Sequence, residues 1–310
     1  MSLSSGMNAN VVKTALDSVV FTNYEQAPGP SVAGASDPVI FVQDSTDRAA
    51  VIEEAYKGVG FFAETLEEQD IPSDTPRVAQ QKTFSVIDYW KSVDIPKRFL
   101  DDELHGVVSM MMRDFGLKAR RSADNSAMKF IRDGFTVSTT ADAAYLFSAS
   151  HSNIAGDTID NLSSAALAEA SLEDAIVALM EQKDQAGEVM GVMPRCLLVP
   201  PKLFKTAVQL TASELEPETG NNAVNWISLK YSGLMVKQSP YLGAAAGGSD
   251  SAWYLIGENH NLRRFVRSPF QTTLVPWETQ RNNNYIYKGG YREVVGALTY
   301  EGLYGSTGVA

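Results

Sequence analysis

The chain of 310 residues is long enough for about two domains with a sizeable core, and its net charge of −11, 44% hydrophobic and 20% charged residues describe an ordinary globular protein. No apolar run approaches the ~20 residues of a membrane span, which excludes a transmembrane helix. The single cysteine, Cys196, excludes an intrachain disulfide, and an N-terminus with neither a basic start nor an apolar stretch argues against secretion.

In chain order, residues 1–46 mix small, polar and Pro/Gly-rich stretches such as APGPSVAGASDP, without a persistent period, and read as an extended arm. DRAAVIEEAYKG, 47–58, places apolar residues at 51, 52, 55 and, just beyond it, 59 behind Asp47 and predicts a short helix ending near Gly58. The next stretch, to Trp90, has an apolar segment, a polar acidic tip holding Pro72 and Pro76, and an alternating segment around Phe84 and Val86. That order predicts a long hairpin.

The strongest helical signal spans 99–134, where Leu100, Leu104, Val107, Val108, Met111, Met112, Phe115, Ala119, Ala123, Ala127, Phe130 and Ile131 form one apolar stripe. A continuous helix there would be a rod of roughly 50 Å, with Gly106 and Gly116 as places where it could bend. Beyond Gly134 the pattern turns to small α/β units. SLED at Ser171 opens a helix running toward Gly187, RCLLVPP is a buried strand around an inert Cys196 thiol, and KLFKTAVQLTAS is a second helix. GLMVKQSPYL and SAWYLIG are strands joined by LGAAAGGSDS, and residues 262–300 return to long strands.

Charge is unevenly spread along these segments. Residues 1–80 hold twelve acidic and four basic groups and 134–260 hold fourteen and six, whereas 81–133 hold ten basic and eight acidic and 261–310 hold six and three. No segment concentrates Lys and Arg in the way phosphate recognition requires. The partition instead suggests acidic lobes meeting a basic frame, within or between subunits, or simply solvated faces.

Catalytic constellations do not assemble. The three histidines, His105, His151 and His260, have no metal-ligand spacing, and the serines of LFSASHSN lack a nucleophile elbow. Ser148, Ser150, Asn153 and His151 are expected to tie the backbone of a loop through short polar side chains.

Four stretches, SVDIPKRFLDDE, LFSASHSN, PRCLLVPPKLFKTAVQL and SAWYLIGENHNLRRF, taken in this order, resemble the major capsid proteins of tailed bacteriophages, the Mu-like head subunits in particular. That fold is shared with herpesvirus capsids and encapsulins. The resemblance covers essentially the whole chain and implies an α+β fold. It divides into an N-terminal arm (1–46), a short helix with an extended β-hairpin loop (47–92), a peripheral domain with a spine helix (93–145), an inserted axial domain (146–261) and return strands of the peripheral domain (262–310).

It further implies a non-enzymatic subunit, without cofactor or metal, that self-assembles through pentamers and hexamers into an icosahedral shell around packaged double-stranded DNA, in the virion and assembled in the host cytoplasm. Portal, scaffolding and decoration proteins are possible partners, and no membrane is involved. Because the chain begins at its arm, scaffolding is expected to be a separate protein or absent, and no lysine and asparagine can be assigned to a covalent cross-link. Two alternatives stay open, an encapsulin-like compartment and a hydrolase using His151. Combined with the charge partition, the resemblance nominates Glu53, Glu54, Glu64, Glu67, Glu68, Arg263, Arg264, Arg267, Arg281 and Arg292 as intersubunit contacts.

Overall fold

The computed structural model describes residues 9–26, 31–62, 64–65, 70–71, 73, 77–101, 106–213 and 225–309. The elements in the first half of the chain are α1 (Ala9–Tyr24), β1 (Val42–Ser45), β2 (Ala50–Lys57), β3 (Arg77–Ser85), β4 (Ile87–Pro96), α2 (Lys97–Asp101) and α3 (Val107–Arg132). There follow β5 (His151–Ser152), β6 (Thr158–Ile159), β7 (Leu162–Ser163), α4 (Glu169–Met180), β8 (Pro194–Val199), α5 (Phe204–Ala212), α6 (Trp226–Lys230) and β9 (Met235–Gln238). The last elements are β10 (Trp253–Gly257), β11 (Leu262–Val275), β12 (Asn284–Ala297) and β13 (Leu303–Ser306).

Two sheets organise these elements. A four-stranded sheet of order β1-β11-β12-β4 carries the spine helix α3, and a five-stranded sheet of order β7-β13-β10-β8-β9 carries α4, α5 and α6. The buried face of α3 runs through Val108, Met112, Phe115, Ala123, Ala127 and Ile131, as the apolar spacing requires, and Phe115 meets the Tyr287 ring of β12 edge-on at 5.5 Å. The second core joins Leu172, Ile176 and Leu179 of α4 to Leu197, Trp253 and Leu255 of the five-stranded sheet.

Several expectations need correction. Residues 1–46 are not simply an extended arm, because 9–24 form α1, whose Val12, Leu16 and Val20 recur every four residues and are buried. Burying each contributes about 1.5–3 kcal/mol. Gly116 makes the contact with α3 possible, since a Cβ there would lie 2.4 Å from the Val20 carbonyl oxygen. Asp17 ties the helix to the sheet by accepting from the Tyr287 hydroxyl at 2.6 Å and the Thr272 hydroxyl at 2.7 Å. Further on, Ala33, Ala35, Ile40 and Phe41 are buried, the Ala35 N–H donates to Asp124 at 2.7 Å and the Ala33 N–H to the Gln238 carbonyl at 2.8 Å. This segment fills the core of its own subunit.

Residues 47–58 are not a helix. The stretch 50–57 is β2, paired antiparallel with β3 so that Glu53 faces Lys82 and Val51 faces Phe84. Apolar residues at 51, 52 and 55 suit either period, and the β-branched pair beside a ready partner strand decides for the sheet. The spine is also shorter than the sequence suggests. Gly106 sits in the left-handed region at φ 66°, and α3 starts after it with 26 residues, about 39 Å. Residues 102–105, with His105, lie outside the described residues.

Ser171 lies inside α4, where its hydroxyl accepts from the Ala168 N–H at 2.9 Å, and α4 ends at Met180 rather than near Gly187. The return segment 262–310 divides. Strands β11 and β12 complete the four-stranded sheet, while β13 crosses back between β7 and β10.

Candidate assembly site

The β2–β3 hairpin is fixed at its root, and toward its tip the described side chains are exposed, although the Phe61 N–H still reaches Glu188 at 3.5 Å. At the root, Phe84 is buried against Phe265 at 5.5 Å, and its ring lies where residue 296 can carry no Cβ, which explains Gly296. The Lys82 ammonium donates to the Thr139 carbonyl beneath the Phe84 and Phe130 rings, and burial lowers its pKa to about 8. Gln80 donates to the Ser152 carbonyl at 3.1 Å. Past this anchorage Val59, Ile71, Phe61 and Phe62 are exposed, the last two by 73% and 101%. Apolar side chains exposed in this way beside an acidic tip are complete only against another surface.

The nominated carboxylates and arginines are distributed unequally. Arg263 joins Glu53 at 2.8 Å and Asp44 at 3.5 Å within the chain, and burial, partly offset by Arg263, raises the Glu53 pKa. Arg264 is buried, donates through Nε and Nη2 to Glu293 and reaches Gln43 at 2.9 Å. Glu293 in turn accepts from Ser126 of the spine at 3.2 Å. Arg292 pairs with Asp88 across β12 and β4.

Three of the five arginines thus have partners inside the subunit. Arg281 and Glu64 are exposed, and neither they nor Arg267 form an ion pair among the described residues. Glu54 lines a recess of about 220 Å³ with Asp184 and Glu301. Glu67 and Glu68 lie outside the described residues.

A larger groove, about 1080 Å³, runs between α3 and the free edge of β4, lined by Tyr89, Trp90, Phe115, Lys118, Arg121 and Tyr291 among others. Gly290 faces Trp90 across the strands and leaves room for its indole to lie over the backbone.

His151 is fully buried. Its Nδ1 lies 2.7 Å from Asp142 Oδ2 and its ring 4.8 Å from that of Tyr300, while Nε2 is buried without a hydrogen-bond partner. A catalytic base needs that nitrogen facing a nucleophile or substrate, and among the described residues none lies within hydrogen-bond distance of it. Burial pushes the Asp142 carboxyl up, but hydrogen bonds from His151, Thr140 and the Ala144 N–H outweigh it and hold the pKa at about 2. Ser148 and Ser150 exchange a hydroxyl contact at 3.3 Å, and Asn153 caps the Asp157 N–H at 2.7 Å. Asp142, in TADAAY, is the partner that sequence reasoning missed, since nothing in the pattern pairs it with a residue nine positions on.

Among the described residues no cluster of three or more His, Cys, Asp or Glu could hold a metal ion, and no helix is long and apolar enough to cross a membrane. No curated protein matches the chain in sequence. Its structure is similar to the capsid of Myoviridae phage XM1 (14% identity, 92% of this chain and 95% of that one, TM-score 0.53). It is also similar to the capsid of a native GTA particle (13%, 92% and 94%, TM-score 0.57) and to a virus-like particle from Pyrococcus furiosus (11%, 94% and 98%, TM-score 0.54). At such identities these likenesses establish the fold. The model of the family described as phage capsid protein matches residues 81–306, from the outer strand of the hairpin to the last strand of the five-stranded sheet. The chain therefore belongs to the phage capsid protein family and is a shell-forming head subunit with the tailed-phage major capsid fold.

Proposed function

We propose that the subunit closes through pentamers and hexamers into an icosahedral shell around double-stranded DNA, assembled in the host cytoplasm and without enzymatic activity of its own. The observation that carries this reading is the hairpin, anchored at Phe84, Lys82 and Glu53 and left with Phe61 and Phe62 uncovered. In a shell the tip lies over a neighbour's four-stranded sheet, and repeated contacts of modest size close the particle.

Intersubunit carboxylate–arginine contacts then fall to the groups still free, Glu54 and Glu64 toward Arg267 and Arg281, and steer register more than they add affinity. Portal, scaffolding and decoration proteins are further partners of such a shell. The encapsulin-like alternative is not favoured, because the matching family is one of phage capsids.

Negative-stain microscopy of the purified protein tests the reading. Closed particles are expected from the wild type, and Phe61→Ser with Phe62→Ser should leave folded subunits that do not close. Particles formed equally well by that variant would remove the hairpin from assembly.

A further inference from the structure

The spine helix supplies a surface that segment charges conceal. Counted along the sequence, residues 81–133 are nearly balanced. Folded, their charges separate. Arg113, Lys118, Arg121 and Lys129 all lie on the exposed side of α3, and none of the four joins an ion pair among the described residues. Asp124, by contrast, is turned inward to Ala35 and Arg120. Asp114 is the single acid on the exposed side, and Ser122 and Asn125 fill the gaps between the cations.

We propose that this face of α3 is a phosphate-binding surface for duplex DNA, and that it therefore faces the inside of the shell. The inference rests on the reading of the shell as a DNA container and names the surface that meets the contents. The row from Arg113 to Lys129 is about 24 Å long at 1.5 Å per residue. That length faces roughly seven phosphates of one strand at 3.4 Å each. Lys118 and Arg121, three residues apart, repel one another along the helix, Asp114 four residues before Lys118 offsets part of that, and an anion laid over the pair relieves the rest.

Long exposed cations interspersed with neutral hydrogen-bond donors track a phosphate backbone without reading its sequence. The acidic hairpin tip of a second copy is the competing anion. It fits this face less well, because its described free carboxylates, Glu64 and Asp70, could neutralise only part of an extended row. In a subunit of net charge −11 the stripe is a local exception, so binding is weak per subunit and strongly dependent on salt.

The test measures binding of a fluorescent duplex of about 24 base pairs to unassembled full-length subunits between about 0.05 and 0.3 M NaCl, with microscopy of particles from the same preparations. Four phosphate contacts predict a slope of log affinity against log salt of about −3.6. Neutralising Arg113, Lys118, Arg121 and Lys129 together to Gln should bring the slope toward zero and weaken binding at low salt by at least about tenfold. Asp114→Lys should steepen the slope by about one and tests the surface even if the fourfold variant does not fold. Arg267→Gln with Arg281→Gln should leave it unchanged.

An unaltered slope in both spine variants overturns the proposal, as does a wild type that ignores the duplex at low salt. A fourfold variant that binds the duplex normally but no longer forms particles overturns it too, and shows that α3 meets another subunit. Failure of the wild type to form particles at all would strike the shell reading and leave the duplex measurement standing by itself.

Discussion

Arg264 offers the sharpest check on how the subunit is held together. It is 8% exposed, Glu293 is 2% exposed, and the pair links the segment around Gln43, the spine at Ser126 and strands β11 and β12. Arg264→Met removes the charge and leaves a carboxylate in a site built for an ion pair, and breaking a buried pair in this way costs ~3–5 kcal/mol. An unfolding entropy of ~2.1 cal/mol/K per residue over a chain of this length converts that into a Tm lower by ~5–8 °C.

Burial raises the Glu293 pKa even with Arg264 beside it, and without the guanidinium it should rise further. A carboxyl whose folded pKa lies above its unfolded value binds more protons when folded, so stability is present at low pH and is lost as pH rises through the folded pKa. The Tm deficit of Arg264→Met should accordingly be smaller at pH 5 than at pH 8, and Glu293→Met added to it should recover much of the loss. Calorimetry of unassembled subunits reads all three effects. A variant within about 1 °C of wild type at pH 8 would show that the network is not what holds these elements together.

Other expectations follow from the same contacts. Gly116→Val drives a side chain into the Val20 carbonyl and should cost ~1–3 kcal/mol, with α1 becoming the first site of limited proteolysis. Deleting residues 1–24 should lower subunit stability itself, not only assembly, because Val12, Leu16 and Val20 leave the core; an unchanged Tm would contradict this. His151→Ala should cost ~1–3 kcal/mol and still give particles, and a hydrolytic activity that disappears in this variant would overturn its structural role. The Asp142 pKa is depressed to about 2 from its ordinary 3.8, so its contribution is present above the ordinary value and lost as pH falls through about 2. Asp142→Asn should therefore flatten the fall of Tm between pH 5 and pH 2, by scanning calorimetry in a pH series.

Much of the fold was legible because periodicity reports burial directly. The stripe of α3, the strand RCLLV, the helix at 204–212 and the long return strands each carry their own pattern and lie where the chain order places them. Of the hairpin only the second arm was legible, from its alternating segment, because the first strand is 50–57 and the apolar 59–62 that suggested it is not a strand. Helix α1 was missed although Val12, Leu16 and Val20 repeat at four, because a stripe one residue wide in a segment rich in small and polar residues is a weak signal until a partner helix is known. Strand β2 was read as helix for the complementary reason, that eight residues with apolar groups at two adjacent positions satisfy either period.

The sequence by itself determined which segments carry apolar faces, where glycine and proline interrupt them, and how much charge each segment holds, because these depend only on local covalent and steric rules. Tertiary structure alone decided which of the nominated arginines and carboxylates meet. Arg263, Arg264 and Arg292 found carboxylates 210, 29 and 204 residues away inside the same subunit, whereas Arg113, Lys118, Arg121 and Lys129 were left exposed along one helix. Charge pairing acts over a few ångströms, and residues that close are set by strand register and helix packing rather than by separation along the chain. A count by segment can therefore balance while the folded surface does not.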